Sequence, residues 1–344
     1  MNSFQTIWDS GGEAMPRVLE FTPRTKELEK YRKISVTSAT FSRHAQLVSE
    51  LRATFPSAII QLNSEGRQLS GVDLYEFLSD SDAAIVGLER ISRELLDSLD
   101  KLKSISKFGV GLDNIDTGRC SELGIHLGWT GGVNRRSVSE LSLAFLLGLS
   151  RNVFFSGYSL KSGTWNKNGG RTLSGRTVGI VGFGFIGEDL ARLLQPFHCK
   201  LLVADIVDKS FVAPLYGGKQ VSLEELLRGS DFVTLHVPLT ELTRTIINSH
   251  TLSLMRSDAF LINTARGPLV NEEDLKNALK IGAGLAEGKG IAGAALDVFN
   301  MEPPEDAELL ALPNLMVTPH IGGNAAEAVL AMGQSAIFGL SKIA

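Results

Sequence analysis

Cysteine is scarce in this chain: of 344 residues only two are cysteines, Cys120 and Cys199. Two isolated cysteines provide neither the ligand spacing of a zinc site nor the framework of a disulfide-stabilised secreted domain. We therefore expect both to be reduced thiols, the protein to hold no metal, and its location to be the cytoplasm.

Positive charge is not in excess either. The 34 lysines and arginines are outnumbered by 38 acidic residues, which gives a formal net charge of −4. Proteins that bind nucleic acid usually carry a basic patch or stripe, and this charge balance argues against one. We expect no nucleic-acid partner.

Long apolar runs are lacking as well. The longest are of strand length or are interrupted by charges, so no segment predicts a membrane span, and we expect no membrane partner. Residues 1–20 lack the charged-then-apolar order of a signal peptide, and we interpret residues 1–32 as an irregular extension. A length of 344 residues suits two domains.

Glycine, in contrast, is abundant, and its most informative cluster lies within residues 179–187. A predicted strand over 176–181 leads into a turn containing Gly182 and Gly184, and a helix is predicted to begin at Gly187. In such a turn the first glycine permits the bend, the second lets backbone N–H groups approach a pyrophosphate, and the third lets the helix pack on the strand. The segment predicts a dinucleotide site at the positive end of that helix.

An acidic residue follows at the distance that this interpretation requires. The next predicted strand, over 200–204, ends at Asp205, which is 18 residues beyond Gly187 (205 − 187). A carboxylate there accepts hydrogen bonds from both ribose hydroxyls of NAD and repels the 2′-phosphate of NADP. The residues that follow Asp205 include no arginine to receive that phosphate, and Lys209 is the only nearby cation. We expect the cofactor to be NAD.

Strand-like and helix-like segments alternate along the chain. Strands are predicted over 34–37, 58–60, 83–86 and 104–106, with helices over 43–54, 72–78 and 94–99 between them. A long helix over 137–149 precedes further strands over 176–181, 200–204, 232–236, 259–262, 291–295 and 315–318 and a final helix over 324–338. This alternation predicts an α/β fold with parallel sheets. We expect two Rossmann-like domains: a flavodoxin-like substrate domain of residues 1–128 and 320–344, and a dinucleotide-binding domain of residues 129–319 inserted into it.

Three polar side chains follow strands in the second half of the inserted domain: Arg266, Glu302 and His320. Hydride transfer to a 2-keto acid needs a cation that holds the carboxylate and polarises the carbonyl, and guanidinium does so with two-pronged geometry. It also needs a proton donor, for which imidazole is suited near neutral pH. A carboxylate orients the imidazole and stabilises its protonated form. Arg266, His320 and Glu302 match these roles in that order.

With these residues the chain resembles a known family, the D-isomer-specific 2-hydroxyacid dehydrogenases, in particular their phosphoglycerate dehydrogenase-like members. The resemblance is carried, in order, by the motifs at residues 107–116, 137–141, 179–187, 236–240, 261–267, 295–299 and 319–323. It implies that Arg266, Glu302 and His320 are the catalytic residues. It also implies cofactor contacts, besides the three glycines and Asp205, at Phe185, Ile186, Val237, Pro238, Thr243, Thr264, Ala265, Asp297 and Gly322.

Several roles follow from the resemblance alone. Asp297 would receive the nicotinamide carboxamide, and His236 would form a wall of the adenine pocket rather than act as a catalyst. The backbone amides of Val110 and Gly111 would bind the substrate carboxylate, as a glycine-rich turn with free N–H groups can. The helix over 137–149 would meet its counterpart in a homodimer, the alternative being a core helix of a monomer.

The resemblance is weaker in the segment that follows the predicted strand 83–86. Phosphoglycerate dehydrogenases usually place cations there, whereas this chain has Glu89 followed by Arg90, and we assign Arg90 to substrate binding. The expected partner is thus a small 2-hydroxy or 2-keto acid whose side group the sequence does not identify. Alternatives are a reductase of hydroxypyruvate, glyoxylate or phosphonopyruvate, or an NAD(H)-sensing corepressor that uses the same fold without catalysis.

Overall fold

The computed structural model describes residues 31–341. The extension predicted at the N-terminus therefore lies, up to residue 30, outside the described residues. The described chain forms two parallel β-sheets, each flanked by helices.

The first sheet contains five parallel strands in the order β2-β1-β3-β4-β5. The strands are β1 (Lys33–Val36), β2 (Ile59–Leu62), β3 (Ala83–Val86), β4 (Ser104–Lys107) and β5 (His126–Gly128). The helices that connect them are α1 (Ala39–Arg43), α2 (Ala45–Thr54), α3 (Gly71–Leu78), α4 (Arg93–Asp97) and α5 (Thr117–Glu122). Every residue of β3 and β4 is buried, because helices cover both faces of a parallel sheet.

The second sheet contains seven parallel strands in the order β12-β11-β10-β9-β6-β7-β8. The strands are β6 (Thr177–Val181), β7 (Lys200–Ala204), β8 (Gly218–Gln220), β9 (Phe232–Leu235), β10 (Phe260–Asn263), β11 (Gly293–Leu296) and β12 (Leu315–Val317). The helices are α6 (Arg135–Ser150), α7 (Val153–Lys161), α8 (Phe185–Leu194), α9 (Leu223–Gly229), α10 (Ser249–Leu254), α11 (Glu272–Gly282), α12 (Ala307–Leu310) and α13 (Ala326–Ser341). The strand order reverses beside β6, as in a dinucleotide-binding sheet, and the predicted fold class is confirmed.

The last helix of the chain packs on the first sheet. Helix α13 contacts β3, β4, β5 and α2. A Cβ atom on Gly128 would lie 2.7 Å from the backbone of Gly339, so only glycines allow β5 and α13 to approach this closely. Helix α6 instead packs on α8, β10 and β11 of the second sheet. These contacts support the division into residues 1–128 with 320–344 and residues 129–319, which we retain as a proposal.

Some elements differ from the sequence-based expectations. Helix α8 begins at Phe185 rather than at Gly187, because Gly184 already serves as its extended N-cap. The helix predicted over 43–54 is observed as α2, which begins at Ala45 because the ring nitrogen of His44 caps it by accepting from Leu47 N–H. Strands β5 and β8 and helices α1, α5, α7, α9, α10, α11 and α12 were not predicted.

Among residues 31–341 no single helix is long and apolar enough to cross a membrane, although the pair Arg135–Ser150 and Val153–Lys161, bent by 64°, passes that test when the two are joined.

Candidate active site

The turn between β6 and α8 has the geometry of a pyrophosphate-binding loop. Gly182 adopts φ +92°, and a Cβ atom on it would lie 2.7 Å from the carbonyl of His236. A Cβ atom on Gly187 would overlap with the carbonyl oxygen of Gly182, so these two positions require glycine. At Gly184, in contrast, an added Cβ would meet no described atom within 4 Å. The turn is therefore open to a ligand at Gly184, just before the first backbone N–H groups of α8.

Asp205 lies at the carboxyl end of β7, beside this turn. Its Oδ2 accepts a hydrogen bond from the backbone N–H of Phe183 at 2.7 Å, and its Oδ1 accepts one from that of Val207 at 2.8 Å. The carboxylate is thus fixed next to the glycine-rich turn, where the ribose of a dinucleotide bound at α8 would lie. The residues present fit NAD.

The remaining residues expected to contact the cofactor follow neighbouring strands of the same sheet. Val237 and Pro238 follow β9, and the hydroxyl of Thr243 donates to the carbonyl of Pro238 at 2.7 Å. Thr264 and Ala265 follow β10, where the hydroxyl of Thr264 lies 3.0 Å from that of Ser142 on α6. The carboxyl ends of parallel strands form one edge, so these residues line the same side of the sheet as the glycine-rich turn. Their contacts with a cofactor stay a prediction.

His236 directly follows β9, at the same carboxyl edge of the sheet. Burial lowers the pKa of its imidazole to about 3, so the ring is neutral at physiological pH. Its Nε2 lies 3.0 Å from the hydroxyl of Thr234, whereas its buried Nδ1 has no hydrogen-bond partner among residues 31–341. A neutral ring with an unsatisfied nitrogen suits a pocket wall better than a proton donor.

Asp297 is held by the loop that carries His320. Its Oδ1 accepts from the hydroxyl of Thr318 at 2.6 Å and from Ile321 N–H at 2.8 Å, and its Oδ2 accepts from Gly322 N–H at 2.7 Å. Burial raises the pKa of this carboxyl, and these three hydrogen bonds oppose the rise. The hydrogen bonds of Asp297 thus position the loop that carries His320, and its expected contact with nicotinamide stays a prediction.

Glu302 and His320 form the arrangement expected of a proton-transfer pair. Imidazole Nδ1 lies 2.7 Å from Glu302 Oε2, and Oε1 accepts from the backbone N–H of Phe299 at 3.1 Å. Burial by itself raises the pKa of Glu302, but these hydrogen bonds and the positive charges of His320 and Arg266 outweigh it, and the net pKa is lowered. The carboxylate therefore stays ionised, fixes the ring orientation and leaves Nε2 for proton exchange.

Arg266 joins the two sheets. Its Nε donates to Asp113 Oδ1 at 3.0 Å, and one terminal nitrogen lies 3.0 Å from the same oxygen. The other terminal nitrogen donates to the carbonyl of Ala265 at 2.7 Å. A Cβ atom on Gly111 would overlap with the guanidinium, so the expected carboxylate-binding turn is in direct contact with the expected catalytic arginine. The sequence analysis did not identify Asp113 as the partner of Arg266, although Asp113 lies within the motif 107–116.

A buried lysine lies beneath the same turn and was also not predicted. Lys107 is 4% exposed, and its ammonium donates to the carbonyl of Gly87 and to Asn114 Oδ1, the latter at 2.7 Å. Burial and the nearby charge of Arg266 lower the pKa of Lys107 to about 8, against the opposing effect of Asp113. Lys107 therefore ties the end of β4 to the turn that follows β3.

Arg90 has a different environment from that expected. Its side chain is exposed, and its charge acts on Glu94 in the first turn of α4. Its assignment to substrate binding therefore rests on the sequence alone. Across residues 31–341, no group of three or more histidine, cysteine, aspartate or glutamate side chains is arranged to hold a metal ion.

Comparison with known proteins shows which family the chain is similar to. Residues 143–322 match the sequence profile described as the NAD-binding domain of D-isomer-specific 2-hydroxyacid dehydrogenases. The matched segment contains the glycine-rich turn, Asp205 and all three expected catalytic residues.

Full-length relatives extend the similarity beyond this segment. The chain is 35% identical over 279 residues to a hydroxypyruvate reductase of Thermotoga maritima, covering 79% of this chain and 88% of the relative. It is 37% identical over 285 residues to a glyoxylate reductase of Pyrococcus furiosus, covering 80% and 83%. It is 38% identical over 269 residues to a D-3-phosphoglycerate dehydrogenase of Methanocaldococcus jannaschii, covering 77% of this chain and 50% of that longer protein.

Solved structures share the whole fold. The TT0316 protein of Thermus thermophilus superposes with a TM-score of 0.78 at 31% identity, covering 89% of this chain and 94% of its own. An NAD-dependent formate dehydrogenase of Staphylococcus aureus in complex with NAD superposes with a TM-score of 0.77 at 28% identity, covering 90% and 94%.

Proposed function

The chain belongs to the D-isomer-specific 2-hydroxyacid dehydrogenase family and is an NAD-dependent oxidoreductase acting on a CH–OH group, and we propose that it uses Arg266, Glu302 and His320 to interconvert a small 2-keto acid and its D-2-hydroxy acid. One observation supports these roles. Arg266, which follows β10, contacts the turn at Gly111 and lies close enough to the Glu302–His320 pair to lower the pKa of Glu302. A cation for the substrate carboxylate and a proton donor thus meet at one edge.

Each residue has a defined role in the proposed reaction. Arg266 and the amides of Val110 and Gly111 bind the substrate carboxylate, and the guanidinium polarises the keto oxygen. The bound nicotinamide supplies a hydride to the carbonyl carbon. His320 gives the proton on Nε2 to the forming alkoxide, while Glu302 accepts from Nδ1–H and keeps the ring oriented toward the substrate. In the oxidative direction His320 Nε2 takes the hydroxyl proton.

The cofactor site of the proposal comprises the glycine-rich turn, Asp205 and the residues that follow β9, β10 and β11. The N-terminus of α8 would hold the diphosphate, and Asp205 would select NAD over NADP through the ribose hydroxyls. The substrate belongs to the class that the relatives' names indicate, and hydroxypyruvate, glyoxylate and 3-phosphohydroxypyruvate are the leading candidates.

We further propose that the protein is a cytoplasmic homodimer. Helix α7 has no buried side chain among its described residues, although five of its nine residues are large and apolar or aromatic, namely Val153, Phe154, Phe155, Tyr158 and Leu160. A second copy of the chain would cover this face. In the described chain, which contains both cysteines, Cys120 and Cys199 are buried free thiols, as a reducing compartment favours.

The assembly is tested by the mass in solution. Wild type should sediment as a dimer, and Tyr158→Asp with Leu160→Asp should shift it to a monomer. Leu242→Asp, which changes an exposed leucine elsewhere, is the control and should leave the mass unchanged. A monomeric wild type contradicts the proposal.

The activity is tested by mixing the protein with NADH and hydroxypyruvate, glyoxylate, 3-phosphohydroxypyruvate or phosphonopyruvate and following the loss of nicotinamide absorbance. Arg266→Ala should lower kcat/KM by orders of magnitude, because it removes a charged contact to the reacting centre, while NADH binding stays nearly intact. An unchanged turnover in Arg266→Ala would remove that residue from the mechanism. NADH binding without turnover of any acid would favour the corepressor alternative.

A further inference from the structure

The strand order of the first sheet reverses direction between β1 and β3. In the order β2-β1-β3-β4-β5, the chain leaves β1 toward β2 on one side and β3 toward β4 on the other. Open parallel sheets bind ligands in the gap that such a reversal creates. Here the gap lies between Thr37, which follows β1, and Gly87, which follows β3.

A carboxylate of the chain occupies this gap. Glu89 Oε2 accepts a hydrogen bond from the hydroxyl of Thr37 at 2.6 Å and another from the backbone N–H of Gly87 at 2.8 Å. These two donors are of the kind that would hold an anionic group of a ligand. Because Glu89 already uses them, a bound anion has to displace it or lie against its negative charge.

The gap is directly connected to the expected substrate site. Asn114 donates its amide to the carbonyl of Glu89 at 2.6 Å and to that of Gly87 at 3.1 Å. Asn114 directly follows Asp113, which is the partner of Arg266. The turn that carries Glu89 is thus fixed against the turn that contacts the catalytic arginine. A substrate held at Gly111 by its carboxylate would therefore lie next to this pair of turns.

Two of the three cations near this turn, Arg266 and Lys107, already have oxygen partners. Arg266 is bound to Asp113, and Lys107 is bound to the carbonyl of Gly87 and to Asn114. The charge of Arg90 acts on Glu94, on α4. A substrate phosphate that enters the gap would therefore face the carboxylate of Glu89, with Lys107 already bound to other oxygens and Arg266 assigned to the substrate carboxylate, and like charges at close range weaken binding.

We propose that Glu89 is a specificity-determining residue: its carboxylate excludes 2-keto acids that carry a phosphate and restricts the site to those whose side group is uncharged. This proposal rests on the proposed reductase function and narrows it to acids such as hydroxypyruvate and glyoxylate. The selection is negative, because an unfavourable charge rejects one substrate while the favourable contacts with the common carboxylate are the same for both.

The test compares kcat/KM for hydroxypyruvate with that for 3-phosphohydroxypyruvate, with NADH as reductant. Wild type should prefer hydroxypyruvate, and Glu89→Gln should shift the ratio toward the phosphorylated acid by about tenfold or more. Glu76→Gln, which removes a charge from the exposed face of α3, is the matched control and should leave the ratio unchanged. The ratio does not depend on the fraction of active enzyme, and Glu89→Ala provides a second variant that also lacks the charge.

Two outcomes would overturn the proposal. One is a wild type that prefers 3-phosphohydroxypyruvate, in particular if Arg90→Ala removes that preference. The other is an unchanged ratio in both Glu89 variants. A wild type that turns over neither these two acids nor glyoxylate nor phosphonopyruvate contradicts the proposed function itself, and this result is distinct from turnover of hydroxypyruvate with no effect at Glu89.

Discussion

Arg266 and Asp113 are 153 residues apart in sequence and form an ion pair between the two halves of the molecule, with Nε 3.0 Å from Oδ1 and 3.2 Å from Oδ2. Asp113 holds one edge of the guanidinium, and the carbonyl of Ala265 accepts from the opposite terminal nitrogen. The plane of the guanidinium is therefore fixed before a substrate enters, and its remaining N–H groups keep one orientation. Asp113 is a positioning residue for Arg266.

The first prediction concerns this ion pair. Asp113→Asn should raise KM for the 2-keto acid by about tenfold and lower kcat less, because it frees the guanidinium but leaves its charge. Steady-state kinetics with NADH checks this, and Asp100→Asn at an exposed position is the control. A lower KM would show that Asp113 competes with the substrate for Arg266 instead of positioning it.

The second prediction concerns Glu302. Glu302→Gln keeps the size of the side chain but removes the carboxylate that lies 2.7 Å from His320 Nδ1 and orients the ring, so kcat/KM should fall by roughly ten- to a hundredfold with NADH affinity unchanged. Since the folded-state pKa of Glu302 is below its ordinary value of 4.5, its interactions stabilise the fold above that pH and are lost as the pH falls through the lowered pKa.

Unfolding measurements at neutral and acidic pH check the second part of this prediction. Wild type should lose its stability advantage over Glu302→Gln on acidification. A difference that does not change with pH would contradict the assigned cause of the pKa shift.

The third prediction concerns the choice of cofactor. Asp205→Asn should weaken NADH much more than NADPH, because it removes the charge that repels the 2′-phosphate and weakens acceptance from the ribose hydroxyls. Binding of both nucleotides, measured by titration, checks this. Since Asp205 also accepts from Phe183 and Val207, the melting temperature is measured in parallel. Equal losses for both nucleotides would remove the argument for NAD selection through Asp205.

The fourth prediction concerns the buried lysine. The pKa of Lys107 is about 8 in the folded protein against 10.5 for an ordinary lysine, so between these values the unfolded chain binds a proton that the folded chain lacks. The free energy of unfolding should therefore rise with pH across this window. A shift of 2.5 units (10.5 − 8) corresponds to about 3 kcal/mol.

Lys107→Met isolates this contribution from other groups that titrate in the same range. Urea unfolding at the two ends of the window should show wild type gaining about 3 kcal/mol relative to the variant. Parallel pH dependences would show that Lys107 is not the group responsible.

The sequence predicted those parts of the molecule whose signals are local. Strand β3 was predicted with its observed bounds, because four apolar residues are flanked by turn signals. Strand β5 was missed, because a segment containing His126 and Gly128 has no strand preference of its own. It is a strand because it pairs with β4 and because Gly128 admits the backbone of Gly339. Strand pairing and packing of this kind depend on distant parts of the chain and cannot be predicted from a short window of sequence.

The same distinction applies to the site. The glycine-rich turn and Asp205 were predicted from their spacing along one strand–helix–strand segment. Arg266, Glu302 and His320 were predicted because each follows a predicted strand. The pairing of Arg266 with Asp113, and of Glu89 with Thr37, joins residues from turns that are distant along the chain. Each partner is an ordinary polar residue in its own segment, so only the folded structure identifies the pair.

The packing of α13 on β3, β4 and β5 has a consequence for biosynthesis. The strands of the first sheet leave the ribosome before those of the second sheet, yet the helix that covers them, α13, is made after β12, the last described strand of the second sheet. The second sheet can therefore fold while the first sheet still lacks its covering helix. The first sheet is completed after the second one, and a site between the two sheets forms only when α13 has been synthesised.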